Sequence, residues 1–196
     1  MKTIRPLGSV SAAVLLGLLA PLACETAPKT AEGKLDIRQD AANAVAKAER
    51  NDPSLAALLN SSPGYAVFPS IGKGGAGIGG AYGRGVLYEN GVEVGYCDLS
   101  QATIGLQLGG QAYTEIIVFE TQNAVDTFKQ GNLRFDAQAT AVALRSGAGA
   151  NAKFKDEVAV FTMDEAGLMA EAAIGGQKFS YEPLRLADEP VTRRGQ

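Results

Sequence analysis

Gly75, Gly77 and Gly80 stand at the spacing of a dinucleotide-binding loop, in which backbone amides at a helix N-terminus hold phosphates. That chemistry needs a strand before the glycines and a helix after them. Here the chain continues Ala81-Tyr82-Gly83-Arg84-Gly85-Val86, with more glycine on a period of two. The stretch therefore reads as a bent strand in which glycine lets backbones approach closely, and nucleotide binding is set aside. The rest of the composition removes further chemistry. With no histidine, Ser-His-Asp and Cys-His catalysis in their usual forms and histidine metal sites are excluded. Asp156-Glu157 and Asp164-Glu165 pair carboxylates, but both pairs flank predicted strands, where solvated turn acids are the ordinary explanation. No local group of cysteines and carboxylates has metal-ligand spacing. Cys97, between Tyr96 and Asp98 in an apolar strand pattern, reads as a buried, inert thiol. The chain is expected to be non-enzymatic, without cofactor or metal.

The elements that position the remaining polar groups follow from periodicity. Leu35, Ala41, Ala42, Val45 and Ala48 recur at helical spacing over Lys34–Arg50, leaving Lys34, Arg38, Lys47 and Arg50 on a partly basic polar face. Asp52-Pro53 caps and opens a short helix over Ser54–Leu59, ended by Ser61-Ser62-Pro63-Gly64. The period then becomes two. Tyr65–Phe68 is a short strand, Ala76–Tyr88 a long glycine-bent one, and Val92–Leu99 its partner across an Asn90-Gly91 turn. Ala102–Leu108 alternates, Glu115–Phe119 is a denser β run, and Thr121 caps a helix over Gln122–Gln130 that Gly131 ends. Leu133–Leu144 alternates with an inward set of Ala137, Ala139, Ala141 and Ala143, and Arg145–Ala152 is a glycine-rich loop. Val158–Met163, Leu168–Ile174 and Gln177–Tyr181 read as a closing meander. The expected class is α+β: a curved antiparallel sheet, curled toward a partial barrel, with N-terminal helices and one interrupting helix.

The first residues belong to export. Lys2 and Arg5 precede the apolar run Ala12–Ala20, which is shorter than the about 20 residues of a membrane span. Ala23-Cys24 resembles the cleavage site of a bacterial lipoprotein signal, with Cys24 the lipidated residue; Pro21 departs from the usual Leu-like residue three positions earlier, and ordinary signal-peptidase cleavage is the alternative. The expected organisation is a signal over residues 1–23, a tether over 24–33, one domain over 34–185 and an irregular tail over 186–196. Loss of Lys2 and Arg5 moves the net charge from −3 to −5, so no broad basic surface for nucleic acid is expected.

Three blocks carry a family resemblance: Tyr65-Ala66-Val67-Phe68-Pro69-Ser70-Ile71, the glycine strand through Tyr82-Gly83-Arg84-Gly85-Val86-Leu87, and Ala102-Thr103-Ile104-Gly105-Leu106-Gln107-Leu108-Gly109-Gly110-Gln111. Their order, continued by Ile116–Phe119, Leu133–Ala143 and Gly167–Ala170, resembles the SYLF domain over most of residues 35–182. The resemblance implies phospholipid binding without enzymatic activity, and bacterial envelope members that consist of the domain alone. For an exported chain it implies anionic bacterial phospholipids as partner and a lipoprotein facing the periplasm. Two routes to lipid are open. The Lys34–Arg50 helix could lie on the membrane, with Lys34 and Arg38 at headgroups, although its weak apolar stripe better suits packing on the domain. A local basic surface could form from Lys73 and Arg84 beside the glycine strand, and from Arg145, Lys153 and Lys155 around the loop before Val158, with glycine-loop amides as further phosphate donors. The alternative function is a structural or protein-interaction module of the envelope, with an envelope protein as partner and no intrinsic lipid binding.

Overall fold

The computed structural model describes residues 27–105, 110–135, 140–164 and 171–185, and for 75–78, 103–105, 110–111, 164 and 171–173 the backbone alone. The signal segment, Cys24 and the tail from residue 186 lie outside the described residues. Helix α1 (Ala31–Asn51) begins three residues before the expected start, because Thr30 accepts a hydrogen bond from Gly33 N (3.0 Å) and caps the helix there. Its buried stripe is Ala41, Ala44 and Ala48, with Ile37 and Val45 partly covered. Leu35 and Ala42, seven residues apart and hence on one side, are exposed instead. The expected apolar face was thus rotated, because alanine marks helical periodicity weakly. Helix α2 (Ser54–Ser61) buries Leu55 and Leu59 on the same sheet face.

The seven-stranded sheet has the order β6-β4-β5-β3-β1-β2-β7. Strand β1 (Gly64–Glu89) is continuous where two strands were expected, and β2 (Val92–Gly105) likewise merges two expected runs. The first half of β1 pairs with β3 (Gly110–Phe119) from Gly64↔Phe119 to Gly74↔Gly110, and the second half with β2 from Gly77↔Gly105 to Glu89↔Val92. The two halves of β1 also lie alongside each other. Tyr65 stacks on Tyr88 (ring centroids 4.8 Å apart), and Asn90 N donates to Pro63 O (3.1 Å). Gly85 is why they can: a Cβ there would overlap the Val67 carbonyl oxygen and crowd the Phe68 ring. The Asn90-Gly91 turn has φ of 50° and 77°, the positive pair that a two-residue hairpin requires.

Beyond β3, Thr121 Oγ1 accepts from Ala124 N (3.2 Å) and caps α3 (Gln122–Lys129), which ends before Gly131 at φ 68°. Residues 132–135 are not strand, and among the described residues β4 is Thr140–Ala143. Ala141 and Ala143 face inward as expected; Ala137 and Ala139 lie outside the described residues. β4 pairs parallel with β5 (Val158–Asp164), so the sheet is mixed rather than antiparallel throughout. The expected closing meander is also corrected. β5 pairs with β3 and β4, β6 (Glu171–Ala173) with β4, and β7 (Gln177–Pro183) with β2 at the opposite end of the order. Turn signals report only near neighbours, whereas β5 registers with β3 from Tyr113↔Asp164 to Phe119↔Val158 and β7 with β2 from Gly95↔Pro183 to Gln101↔Gln177, partners distant in sequence.

The class is α+β, with an open, curved sheet covered on both faces. α1, α2 and the 144–154 loop cover one face over Tyr65, Val67, Val86, Tyr88, Ile116 and Phe161. The other face is concave and encloses Phe68, Leu87, Leu99, Ile117, Phe119 and Phe179, with α3 contributing Val125 and Phe128. The curl is strong enough for the Gln177 side chain of β7 to reach Glu115 of β3.

Candidate functional site

The basic residues singled out for lipid contact fall into three places. Lys34, Arg38 and Arg84 share the face that carries α1, near β2. Lys34 Nζ stands 5.7 Å from the centre of the Tyr96 ring, and Arg38 forms an ion pair with Glu93. Arg84 Nε donates to Tyr82 Oη (3.1 Å) and lies 3.7 Å from Asp98 Oδ1. Burial pushes the Asp98 carboxyl up to about 6 against the opposing pull of Arg84. Much of the positive charge here is therefore matched inside the protein. The alanine stripe of α1 is used in packing on the sheet, so α1 does not have that stripe available for a bilayer.

Lys73, opposite Gln111 in the β1–β3 ladder, is half-buried. Strand alternation from Ile71 places it on the concave face, whereas Arg84 shares the face of Val86. The structure therefore does not bring Lys73 and Arg84 together, although both flank the glycine run in sequence.

The third place is the connection between β4 and β5. Arg145, Lys153 and Lys155 are all exposed on it. Beneath them Ala148, Ala152 and Phe154 pack against the core, and Gly149 lies on Leu55 with no room for a side chain. Asp52 holds the loop from the end of α1. Its carboxylate accepts hydrogen bonds from Gly147 N (3.0 Å), Gly149 N (2.6 Å), Ser54 N (3.1 Å) and Ser54 Oγ (2.7 Å), while Ala150 N donates to Ser54 Oγ (2.8 Å). Burial pushes the Asp52 carboxyl up, but the bonds from Gly149, Ser54 and Gly147 outweigh it and leave the group below its ordinary 3.8. This corrects the expectation that glycine amides of this loop would be phosphate donors: the Gly147 and Gly149 amides are already taken. The loop closes at Asp156-Glu157, with φ of 52° and 64° in a two-residue hairpin turn. Glu157 accepts from Thr121 Oγ1 (3.1 Å) and Asn123 Nδ2 (3.2 Å), which ties this turn to the start of α3; of Asp164-Glu165, the Asp164 side chain and Glu165 lie outside the described residues.

Sequence reasoning read Asp52 only as a helix cap, because its loop partners lie about a hundred residues away. It missed a second polar group altogether. Glu115 alternates with Ile117 and Phe119 and so points into the concave core, where it is fully buried beside Tyr113, Thr162 and Gln177. The signal was present in the period of two that opens the Glu115–Phe119 run. Cys97 is buried as expected, and burial, with the Asp98 charge, pushes its thiol well above the usual range. No helix among the described residues is long and apolar enough to cross a membrane.

Residues 100–183 match the family model Ysc84, described as Las17-binding protein actin regulator. Over 156 residues the chain is 29% identical to "Beta cell expansion factor A" of Aeromonas veronii, covering 78% of this chain and 59% of that protein. The chain thus spans less than two thirds of that relative's length. The matched segment contains both the β4–β5 loop and the buried polar group around Glu115.

Proposed function

We propose, on the premise that this chain belongs to the SYLF family, that it is a non-enzymatic phospholipid-binding protein of the bacterial envelope. The family domain is associated with lipid binding, and the finer reading rests on the surface of this chain. The observation that carries it is the β4–β5 loop: Arg145, Lys153 and Lys155 project from a connection clamped at Asp52 and packed through Phe154. A fixed loop presents its charges to anionic headgroups without losing conformational freedom on binding. Each lysine or arginine at an anionic surface contributes about 1 kcal/mol, so three contribute about 3 kcal/mol, a weak contact. Lys34, Arg38 and Arg84 belong to a second face, where Glu93 pairs with Arg38 and Asp98 stands beside Arg84.

A weak contact suffices if Cys24 is acylated. Each buried CH₂ adds about 0.8 kcal/mol, and a tethered domain meets the membrane at high effective concentration. Two experiments test the reading. Cys24→Ser should leave the membrane fraction, and an unchanged distribution would refute the anchor. The same full-length variant should then co-sediment with anionic vesicles and not with neutral ones. If it binds neither, the alternative of an envelope interaction module gains, with a protein as its partner.

A further inference from the structure

Inside the curl, side chains from three strands meet around Glu115. Gln177 Nε2 of β7 donates to Glu115 Oε2 (3.0 Å), Thr162 of β5 is the register partner of Glu115, and Tyr113 lies two residues away on the same face of β3. All four side chains are at most 2% exposed. Glu115 Oε1, Thr162 Oγ1 and Gln177 Oε1 are each buried and make no hydrogen bond among the described residues, while the Tyr113 hydroxyl sits beside the Gln177 side chain. Three such oxygens in one place stand out, because buried polar atoms are almost always partnered. The missing complement has a definite chemistry. Both the carboxylate and the Gln177 carbonyl are pure acceptors, and the two hydroxyls can accept as well. Glu115 has no ion-pair partner among the described residues, and a buried carboxylate without one is strongly disfavoured.

We propose that Tyr113, Glu115, Thr162 and Gln177 form an internal binding site for one small monovalent cation, of the class of sodium or potassium. One carboxylate neutralises one positive charge, and neutral oxygens replace the hydration shell of such an ion, as carbonyl oxygens do in cation-selective filters. Divalent ions held by protein oxygens are bound more tightly as carboxylate count rises, and this site has one. The site is separate from the basic loop and does not depend on lipid binding.

The test is thermal unfolding of the purified full chain at pH 8 and constant ionic strength, with tetramethylammonium chloride exchanged stepwise for sodium or potassium chloride. Tetramethylammonium is too large for the site and matches the screening. The melting temperature should rise and saturate, by about 5–10 °C at a hundredfold excess over the dissociation constant. Glu115→Gln should lose the rise, and Thr162→Val, which keeps the charge, should move the midpoint to higher cation concentration. Equal melting temperatures in all salts, or the same rise in Glu115→Gln, would overturn the proposal. A response to calcium but to neither monovalent ion would overturn the charge assignment.

Discussion

Replacing Asp52 by alanine removes one acceptor from four hydrogen bonds at once, three of them to backbone amides. The carboxylate is 1% exposed, so water does not readily take its place. Gly147 N and Gly149 N would lose their acceptor, and each stranded amide costs about 1–3 kcal/mol. The end of α1 also loses its link to α2. Together the loss is about 3–5 kcal/mol, a large part of the 5–15 kcal/mol that holds a domain folded. The melting temperature should fall by about 10 °C or more. Asp52→Asn keeps one acceptor oxygen and should lose about half as much. The pH dependence separates charge from packing. A carboxyl held below 3.8 stabilises the fold at pH values above 3.8, and that stabilisation disappears as pH falls through the folded-state value. The gap between the native chain and Asp52→Asn should therefore be constant from pH 5 to 8 and shrink below pH 4. Hydrogen exchange supplies the local readout: the Gly147 and Gly149 amides should lose protection in the variant while strand amides of β1 and β3 keep theirs. Native-like stability of Asp52→Ala, or unchanged exchange at those two glycines, would refute this account of the loop.

Other outcomes follow from the same geometry. Gly85→Ala sets a methyl group against the Val67 backbone and should cost about 3 kcal/mol or more, whereas Gly91→Ala, with open space and φ 77°, should cost about 1–2 kcal/mol; urea unfolding distinguishes them. Glu115, raised from 4.5 to about 7, stabilises the fold below pH 4.5 and loses that contribution as pH rises to about 7, so without a bound cation the native chain should lose about 2–4 kcal/mol across that window and Glu115→Gln should not. Cys97 should resist thiol reagents in the native state and react only on unfolding; rapid native labelling would contradict its burial.

Features set by adjacent residues were legible in the sequence. Asn90-Gly91 needs only its own backbone to form the turn, and Thr121 needs only the amide three residues on to cap α3. The glycine run was recognised as strand, but not the approach between the halves of β1, because glycines leave no side-chain pattern from which to read a partner. Nothing near Ala141 indicates that β4 will run parallel to β5. The same limit governs the candidate sites. Basic residues are visible one by one, yet their grouping depends on strand faces, which separate Lys73 from Arg84, and on Asp52, which fixes the loop bearing Arg145, Lys153 and Lys155. Glu115 was missed although the period of two marks it as inward-facing, and its neighbours Thr162 and Gln177 become neighbours only through the curl of the sheet.

The central claim, that the fixed β4–β5 loop is the lipid-facing surface, is tested most directly by vesicle binding of the full chain carrying Cys24→Ser, with and without Arg145→Gln, Lys153→Gln and Lys155→Gln together. Binding to anionic vesicles should weaken as salt rises, since exposed charges more than about 8–10 Å apart are screened at physiological strength. The triple variant should lose about 3 kcal/mol, on the order of a hundredfold in affinity, with an unchanged melting temperature. Equal binding by the two proteins, or binding that ignores salt, would contradict the claim.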